Sequence, residues 1–331
     1  MEFVIVGAGS LGQSFAGLLA QAGQRVTLFA TARSAERLRT SGAIRLVGAR
    51  EATIPIGGDG LTLTTDAADL PHGAVVLFTT KGHDLPAAIE MVRSAAADRV
   101  AWTCGVQNGV LKDDLLQAAF GADRVVGAAT IFGAMRQPDG TVQVSSPGIT
   151  YLGSFAGRPV SPAIKDVAAV LDAAGVPTQV PDDIASVLWS KACNATGVFG
   201  VTVLARVSND RLFTSPHLMR AYLTLVRETA ATAQAYGIQV GDYPRFPPIR
   251  TFVDRDTQAT LDQLSPPTTS ASPPSYASMT QDLLAGAPLE VDAVFGDIVA
   301  RAERKGVDVP GLRLVRDLIR GINPAHNQRT A

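Results

Sequence analysis

A glycine-rich pattern near the start of the chain has the spacing of a phosphate-binding turn. Its six residues are Gly7, Ala8, Gly9, Ser10, Leu11 and Gly12. The apolar run 3–6 before it predicts a strand, and the helical spacing of apolar residues in 13–20 predicts a helix after it. The first glycine permits a tight turn, the second lets the backbone approach a pyrophosphate, and the third lets helix and strand pack closely. This context favours dinucleotide binding at a helix N-terminus over a glycine-rich turn that binds nothing.

The end of the second predicted strand, 24–30, carries no acidic residue. An Asp or Glu at this place usually bonds the ribose 2′-OH of NAD. Here Thr31 can donate a hydrogen bond, and Arg33 can pair with a 2′-phosphate. The strand end therefore predicts NADP as the cofactor. The alternative for Arg33 is a solvated charge that opens the next helix.

Two further strand ends carry polar residues that can face a ligand. The run 74–80 is apolar until its last residues, which is typical of a buried parallel strand, and Lys81 follows it directly. The strand 99–104 is followed by Gln107, Asn108 and Gly109. Ligands of open α/β sheets bind along this edge, so Lys81 and Asn108 are candidate ligand-binding residues. For Asn108 and Gly109 a simple turn is an equally good interpretation.

The pattern of the chain changes near residue 182. Before it, strand signals at 125–132, 148–153 and 178–180, a turn at 137–140 and a helix at 164–174 continue the first domain. After it, helical patterns cover 184–205, 216–236, 277–285, 289–305 and 311–322. We therefore predict an α/β fold: an N-terminal Rossmann-type parallel-sheet domain at 1–181, followed by a mostly α-helical C-terminal domain at 182–331. The Pro- and Ser-rich stretch 265–275 is expected to be an extended, mobile connection.

Composition excludes several classes of protein. The 331 residues carry a net charge of −1, which does not favour a nucleic-acid or anionic-membrane partner. No uninterrupted apolar run approaches the ~20 residues of a membrane span, and the N-terminus lacks the pattern of a signal peptide. Two cysteines, Cys104 and Cys193, are too few for a disulfide framework, and no His/Cys cluster has metal-site spacing. We expect a cytoplasmic protein without a metal.

An ordered set of motifs resembles the ketopantoate reductase (2-dehydropantoate 2-reductase) family over nearly the whole chain. The glycine pattern, Lys81 and the Asn108 motif are followed by Trp189-Ser190-Lys191. Ser278 and Glu290 then lie twelve residues apart, 290 − 278 = 12, which matches the family's spacing. The resemblance implies a Rossmann domain joined to a helical domain, with the active site in the cleft between them. It also implies a step of pantothenate and coenzyme A biosynthesis, and a homodimer is compatible with it.

The chemistry of 2-oxo acid reduction assigns roles to these residues. The reaction needs a hydride from the cofactor and a proton for the emerging alkoxide, and a lysine ammonium supplies both positive charge and a proton. Lys191 is the expected general acid, with a snorkelling surface lysine as the alternative. The resemblance implies that Glu290 holds the ammonium. Substrate binding is expected from Asn108, Asn194 and Ser278. The resemblance also places Lys81, Asn108 and Glu290 near the cofactor.

One departure from the family pattern concerns the helix that carries Lys191. Family members usually have Asn four and often also eight residues after this lysine, but Ala195 and Phe199 occupy these positions here. Asn194 is one residue earlier, turned by ~100° on a helix, and can substitute or face elsewhere. The reaction type is unaffected by this change. The substrate can differ, because Phe199 makes this part of the pocket more apolar.

Three alternatives to ketopantoate reduction remain open from the residues alone. The first is a relative that reduces another branched or bulkier 2-oxo acid. The second is a catalytically silent NADP-binding sensor or scaffold, against which the retention of Lys191, Ser278 and Glu290 argues. The third is an opine-type dehydrogenase, which usually requires a histidine. Neither His83 nor His217 has a supporting motif.

Overall fold

A computed structural model describes residues 1–155, 162–264 and 275–327. The chain divides into two compact units: one holds 1–107 and 112–185, and the other holds 108–111 and 186–331. Most of the stretch 265–275, expected to be a mobile connection, is outside the described residues.

The first unit is an α/β domain. Its strands are β1 (Glu2–Val6), β2 (Arg25–Phe29), β3 (Ala43–Gly48), β4 (Ala52–Pro55), β5 (Leu61–Thr64), β6 (Ala74–Phe78), β7 (Val100–Gly105), β8 (Gly127–Thr130), β9 (Gly133–Arg136), β10 (Val142–Ser146), β11 (Thr150–Gly153) and β12 (Thr178–Gln179). Its helices are α1 (Ser10–Gln21), α2 (Ala32–Ser41), α3 (Leu85–Ala96), α4 (Leu111–Phe120) and α5 (Pro162–Ala173). Three short 3₁₀ turns lie at Ala67–Asp69, Ala97–Arg99 and Ala122–Arg124.

The central sheet is parallel, with the strand order β5-β2-β1-β6-β7. In chain order this is the 3-2-1-4-5 arrangement of a Rossmann fold, whose topological switch point is the carboxyl end of β1. Along β1, Phe3 and Ile5 face one buried cluster, and Val4 and Val6 face another. Burial on both faces explains why β1 and β6 are continuous apolar runs. The predicted fold class is confirmed.

A second sheet, of order β4-β3-β10-β9, is not indicated by the sequence. Helix α1 packs against strands of this sheet as well as of the central sheet, so α1 is enclosed on two sides. Strands β9 and β10 form an antiparallel hairpin around the predicted turn, where the Gly140 N–H donates to Gln137 O at 3.0 Å. A third sheet, of order β12-β11-β8, completes the unit.

The secondary structure of the second unit, in the part that the structure describes, consists of helices joined by loops. Its helices are α6 (Ile184–Ala205), α7 (Asn209–Thr214), α8 (Pro216–Ala235), α9 (Ile249–Asp254), α10 (Thr257–Leu261), α11 (Ser278–Leu284), α12 (Asp297–Lys305), α13 (Pro310–Ile322) and α14 (Pro324–Asn327). The helix predicted at 289–305 starts with a π-helical segment, Asp292–Gly296, that runs into α12. Such π segments occur frequently at functional sites.

Helix α6 forms the core of this unit. A Cβ at Gly197 would lie 2.5 Å from the ring of Tyr222, and one at Gly200 would lie 2.5 Å from Leu225 Cδ1, so both glycines permit close packing of α6 against α8. Among the described residues, α6 is the one helix long and apolar enough to qualify as a membrane span, and 83% of the qualifying window is buried inside the protein. That burial is the pattern of a core helix.

Candidate active site and cofactor-binding turn

The three glycines of the β1–α1 turn have different structural requirements. Gly7 has φ +108°, and its Cβ would lie 2.9 Å from Thr80 N. A Cβ at Gly12 would lie 1.9 Å from Gly7 O, so this position must be glycine for the turn to close. Gly9 differs, because its φ of −72° suits any residue and its Cβ would meet no atom within 4 Å. The protein itself gives no reason for glycine there. The open space at Gly9 fits a ligand that approaches the backbone, as a pyrophosphate does.

The carboxyl ends of the central strands are joined to this turn. Thr79, which follows β6, donates from Oγ1 to Val6 O at 3.0 Å and to Gly7 O at 2.9 Å. Gln107, which follows β7, donates from Nε2 to Phe78 O at 3.0 Å. Half-buried Lys81 lies three residues after the end of β6. The first unit therefore holds the glycine turn and Lys81 at one edge of its sheet.

Thr31 and Arg33 lie where β2 gives way to α2. Thr31 is the N-cap of α2, and its Oγ1 accepts a hydrogen bond from Ser34 N at 3.3 Å. Its hydroxyl proton remains available to a ligand. Arg33 is exposed in the first turn of α2. A second arginine, Arg37, lies one helical turn further along, and no motif in the sequence marks it.

In the second unit, the motif around Lys191 contains two buried residues that pack within the unit, and Lys191 itself is less buried than they are. Trp189 is buried and stacks on Tyr236 with ring centroids 6.3 Å apart. Ser190 Oγ donates to Ser186 O and accepts from Gly241 N, both at 2.8 Å. These contacts fix α6 at this point. Lys191 is half-buried.

Asn194 lies on α6 three residues after Lys191 and is also half-buried. The Tyr222 hydroxyl donates to Asn194 Oδ1 at 3.0 Å, which directs the amide of Asn194. Ala195 and Phe199, at the positions where the family has Asn, are only 5% and 6% exposed. No signal in the sequence indicates the bond from Tyr222, which is 28 residues away.

Ser278 and Glu290 belong to segments that are bonded to other parts of the second unit. Ser278 is exposed at the first position of α11, and two residues later Thr280 pairs with Thr202 of α6 at 2.7 Å. Glu290 is only 5% exposed and immediately follows Leu289. The backbone N–H of Leu289 donates to Asn323 Oδ1 at 3.1 Å. The helices of Lys191 and Ser278 are thus joined through a threonine pair.

Asn108 belongs to the second unit, not to the sheet that it follows in sequence. The next residue, Gly109, has φ +81°, and its Cβ would lie 2.2 Å from Ala293 O in the π-helical segment. The turn that carries Asn108 therefore packs on the segment that follows Glu290. The structure brings Asn108 and Glu290 onto contacting segments.

The two cysteines add no further chemistry to either site. Cys104 and Cys193 are both free and buried, and burial raises the pKa of the Cys104 thiol to about 12 and raises that of Cys193 as well. Within the described ranges, no group of three or more His, Cys, Asp or Glu residues could hold a metal ion.

Comparisons with known proteins agree over the whole chain. The model of the family "Ketopantoate reductase PanE/ApbA" matches residues 3–157, and the model of its C-terminal part matches residues 183–323. A 2-dehydropantoate 2-reductase of Pyrococcus abyssi is 27% identical over 321 residues, 97% of each chain. A crystal structure of a PanE/ApbA family ketopantoate reductase from Ralstonia eutropha has a TM-score of 0.77 and 23% identity, with 99% of this chain and 100% of that chain covered.

A D-mandelate dehydrogenase, solved in a ternary structure with NADH and anilino(oxo)acetate, has a similar fold. Its TM-score is 0.80 at 20% identity, with 99% of this chain and 100% of that chain covered. The fold is thus shared with a protein that is named a D-mandelate dehydrogenase and not a ketopantoate reductase. Because the two family models together match most of the residues, the chain belongs to the ketopantoate reductase (PanE/ApbA) family of nicotinamide-dependent oxidoreductases.

Proposed function

We propose that this chain reduces 2-dehydropantoate (ketopantoate) to pantoate with NADPH, as a step of pantothenate and coenzyme A biosynthesis. The observation that carries the proposal is the setting of Lys191. It is a half-buried cation on a core helix, held by packing of Trp189 and hydrogen bonds of Ser190. Its helix is bonded to the helix of Ser278.

In this proposal Lys191 is the general acid. NADPH supplies the hydride when it is bound. Lys191 Nζ donates a proton to the substrate oxygen as negative charge develops there, which removes the cost of an uncompensated alkoxide. The buried carboxylate of Glu290 orients the ammonium, since a buried charge is stable only with a partner.

Other residues hold the substrate and the cofactor. Asn108, Asn194 and Ser278 bind the carboxylate and hydroxyl ends of the 2-oxo acid. The proposed cofactor contacts are the turn from Gly7 to Gly12, the strand-end residues Thr31 and Arg33, and Lys81, Asn108 and Glu290. The open space at Gly9 supports the placement of the pyrophosphate at this turn. The absence of an acidic residue after β2 supports NADPH over NADH.

The second candidate function is reduction of a bulkier 2-oxo acid. Ala195 and Phe199 support it, because they are apolar and replace the asparagines that could bond a substrate hydroxyl. The similar fold of a D-mandelate dehydrogenase is compatible with it. We also propose a cytoplasmic homodimer. A ketopantoate reductase from Staphylococcus aureus that is described as dimeric has a TM-score of 0.71 at 19% identity, with 97% of this chain and 98% of that chain covered.

NADPH oxidation against a panel of 2-oxo acids tests both candidates. The panel contains ketopantoate, 2-oxoisovalerate and phenylglyoxylate. 2-Oxoisovalerate lacks the hydroxymethyl group of ketopantoate, and phenylglyoxylate has a phenyl ring in place of the branched chain. The first candidate requires the highest kcat/KM for ketopantoate. A preference for phenylglyoxylate supports the second, and no turnover with any member contradicts both in favour of a silent NADP-binding protein.

A further inference from the structure

A cavity in the first unit carries positive charge that the proposed active site does not use. Its volume is about 370 Å³, and it lies between α2, the β9–β10 hairpin and the glycine turn. The polar side chains that line it are those of Gln13, Ser34, Arg37, Ser41, Arg136 and Gln137. None of the described residues in its wall is acidic, so the wall carries two positive charges.

The guanidinium of Arg37 is held along α2 beside this cavity. Its Nη2 donates to Ser34 Oγ at 2.9 Å, one turn back on the same helix. Partial burial, then the charges of Arg136 and Arg33, lower the pKa of Arg37. The guanidiniums of Arg136 and Arg33 therefore each lie close enough to repel that of Arg37, an arrangement that a bound anion would stabilise.

Arg136 reaches this cluster from outside the central sheet. It is the last residue of β9, and its guanidinium has neither a hydrogen-bond acceptor nor a carboxylate partner among the residues that the structure describes. The nearest acidic residue of the hairpin, Asp139, accepts hydrogen bonds from Thr141 N and Oγ1. Asp139 is not part of the cavity wall, so it leaves the charge of Arg136 available.

The position of the cavity relates it to the cofactor turn. Ala8, the second residue of that turn, lines it, and so does Ser34, which follows Arg33 at the start of α2. In NADP the 2′-phosphate is attached to the adenosine ribose, and this ribose is bonded to the pyrophosphate. A phosphate that extends from a dinucleotide on the glycine turn can therefore reach the arginine cluster.

We propose that Arg136, on the β9–β10 hairpin of the second sheet, binds the 2′-phosphate of the cofactor together with Arg37 and Arg33. This inference rests on the proposed preference for NADPH and extends it to a residue outside the Rossmann sheet. The hairpin then determines cofactor specificity, because Arg136 has no other anionic partner among the described residues and NADH lacks the group that it contacts. The planar guanidinium presents two N–H groups that can form charge-assisted hydrogen bonds to two oxygens of one phosphate.

Calorimetric titration with 2′,5′-ADP and 5′-ADP tests the proposal without any 2-oxo acid. Arg136→Ala should weaken binding of 2′,5′-ADP about tenfold or more, since a hydrogen bond between charged groups is lost. Binding of 5′-ADP should change by less than about twofold. Arg136→Lys should retain part of the affinity. Arg39→Ala, which removes an exposed arginine of α2 that does not line the cavity, is the matched control and should alter neither.

Three results would overturn the proposal. The first is an Arg136→Ala protein that binds 2′,5′-ADP like the wild type. The second is an equal loss for both nucleotides in a variant whose melting temperature is unchanged. The third is inorganic phosphate that binds the wild type as tightly as 2′,5′-ADP, which would identify a free-phosphate site. A failed substrate assignment would leave the nucleotide results intact, whereas a failed role for Arg136 would leave the reductase activity intact.

Discussion

The hydroxyl of Tyr222 donates a hydrogen bond to Oδ1 of Asn194 at 3.0 Å, from one helix of the second unit to another. Tyr222 is fully buried and has edge contacts with the rings of Phe213 and Phe252, so its hydroxyl has a fixed position. With Oδ1 engaged, the NH₂ group of Asn194 is the part of the amide left to donate to a substrate. This orientation of the amide is the one that the proposed contact of Asn194 with the substrate requires.

Replacing Tyr222 with Phe should therefore raise KM for the 2-oxo acid severalfold with a smaller effect on kcat. The lost hydrogen bond should lower the free energy of unfolding by about 1 kcal/mol. Tyr236→Phe is the control, because it removes a hydroxyl that contacts Arg301 O and not Asn194. In an Asn194→Ala background, Tyr222→Phe should have no further effect on KM. An additive increase would contradict a role that acts through Asn194.

Substitutions at two glycines of the cofactor turn should have separate effects, one on cofactor binding and the other on folding. Gly9→Val adds a side chain into open space, so the protein should fold and lose affinity for NADPH. Gly12→Ala instead places a Cβ 1.9 Å from Gly7 O, so it should lower the melting temperature. Calorimetry and thermal unfolding measure the two effects. Wild-type NADPH affinity in Gly9→Val would exclude this turn as the pyrophosphate site.

The close approach of Gly109 to Ala293 leaves no space for a Cβ. The destabilisation caused by this clash can be measured against an alanine substitution at a second glycine. Gly109 and Gly306 have φ of +81° and +66°, so alanine at either adds backbone strain, about 1–2 kcal/mol in the left-handed helical region. Only at Gly109 would the new Cβ also meet a backbone oxygen, at 2.2 Å. Gly109→Ala should thus be the more destabilising in urea and should lower kcat/KM. Equal destabilisation would show that the contact can relax.

Several of these contacts join residues that are far apart in the chain, and the sequence does not predict them. The bounds of α6 and of four of the five parallel central strands follow from local apolar patterns, so the sequence predicts them well. The fifth strand, β5, is not among the predicted strands. In strand β3, Ile44 and Leu46 are buried and Arg45 and Val47 are exposed, but the apolar Val47 hides this alternation in the sequence. The strand pairs with β10 almost a hundred residues later. Pairing over such distances leaves no local pattern. The bond from Tyr222 to Asn194 and the approach of Arg136 to Arg37 are of the same kind.

The raised pKa of the buried thiols predicts how the free energy of unfolding depends on pH. An unfolded thiol titrates near 9.0, whereas burial raises the pKa of Cys104 to about 12. Above pH 9 the unfolded chain loses a proton that the native protein keeps. Stability should therefore fall with rising pH, by up to about 1.4 kcal/mol per pH unit for each thiol. Urea unfolding at pH 8 and 10 measures this. The decrease should be smaller in Cys104→Ala, and an unchanged slope would contradict the assignment.

The last prediction concerns the proton donor. A positioned acid typically contributes ~10²–10⁴-fold in rate, so Lys191→Ala should lower kcat by at least about the lower figure. NADPH affinity should stay nearly unchanged. Lys191→Arg should restore little activity, because guanidinium holds its proton and has a different shape. Glu290→Gln should cost less than Lys191→Ala, because it disturbs the orientation of the ammonium without removing the proton.

Steady-state kinetics on a confirmed substrate, with NADPH titrations, measures these effects. Lys165→Ala, which removes an exposed lysine of α5, controls for the loss of one positive charge. Added methylammonium should restore part of the rate of Lys191→Ala, since it returns a proton donor to the space that the side chain leaves. A purely structural lysine would not respond to the amine. Turnover of Lys191→Ala within a few-fold of wild type would exclude it as the acid, and Lys81 would become the next candidate.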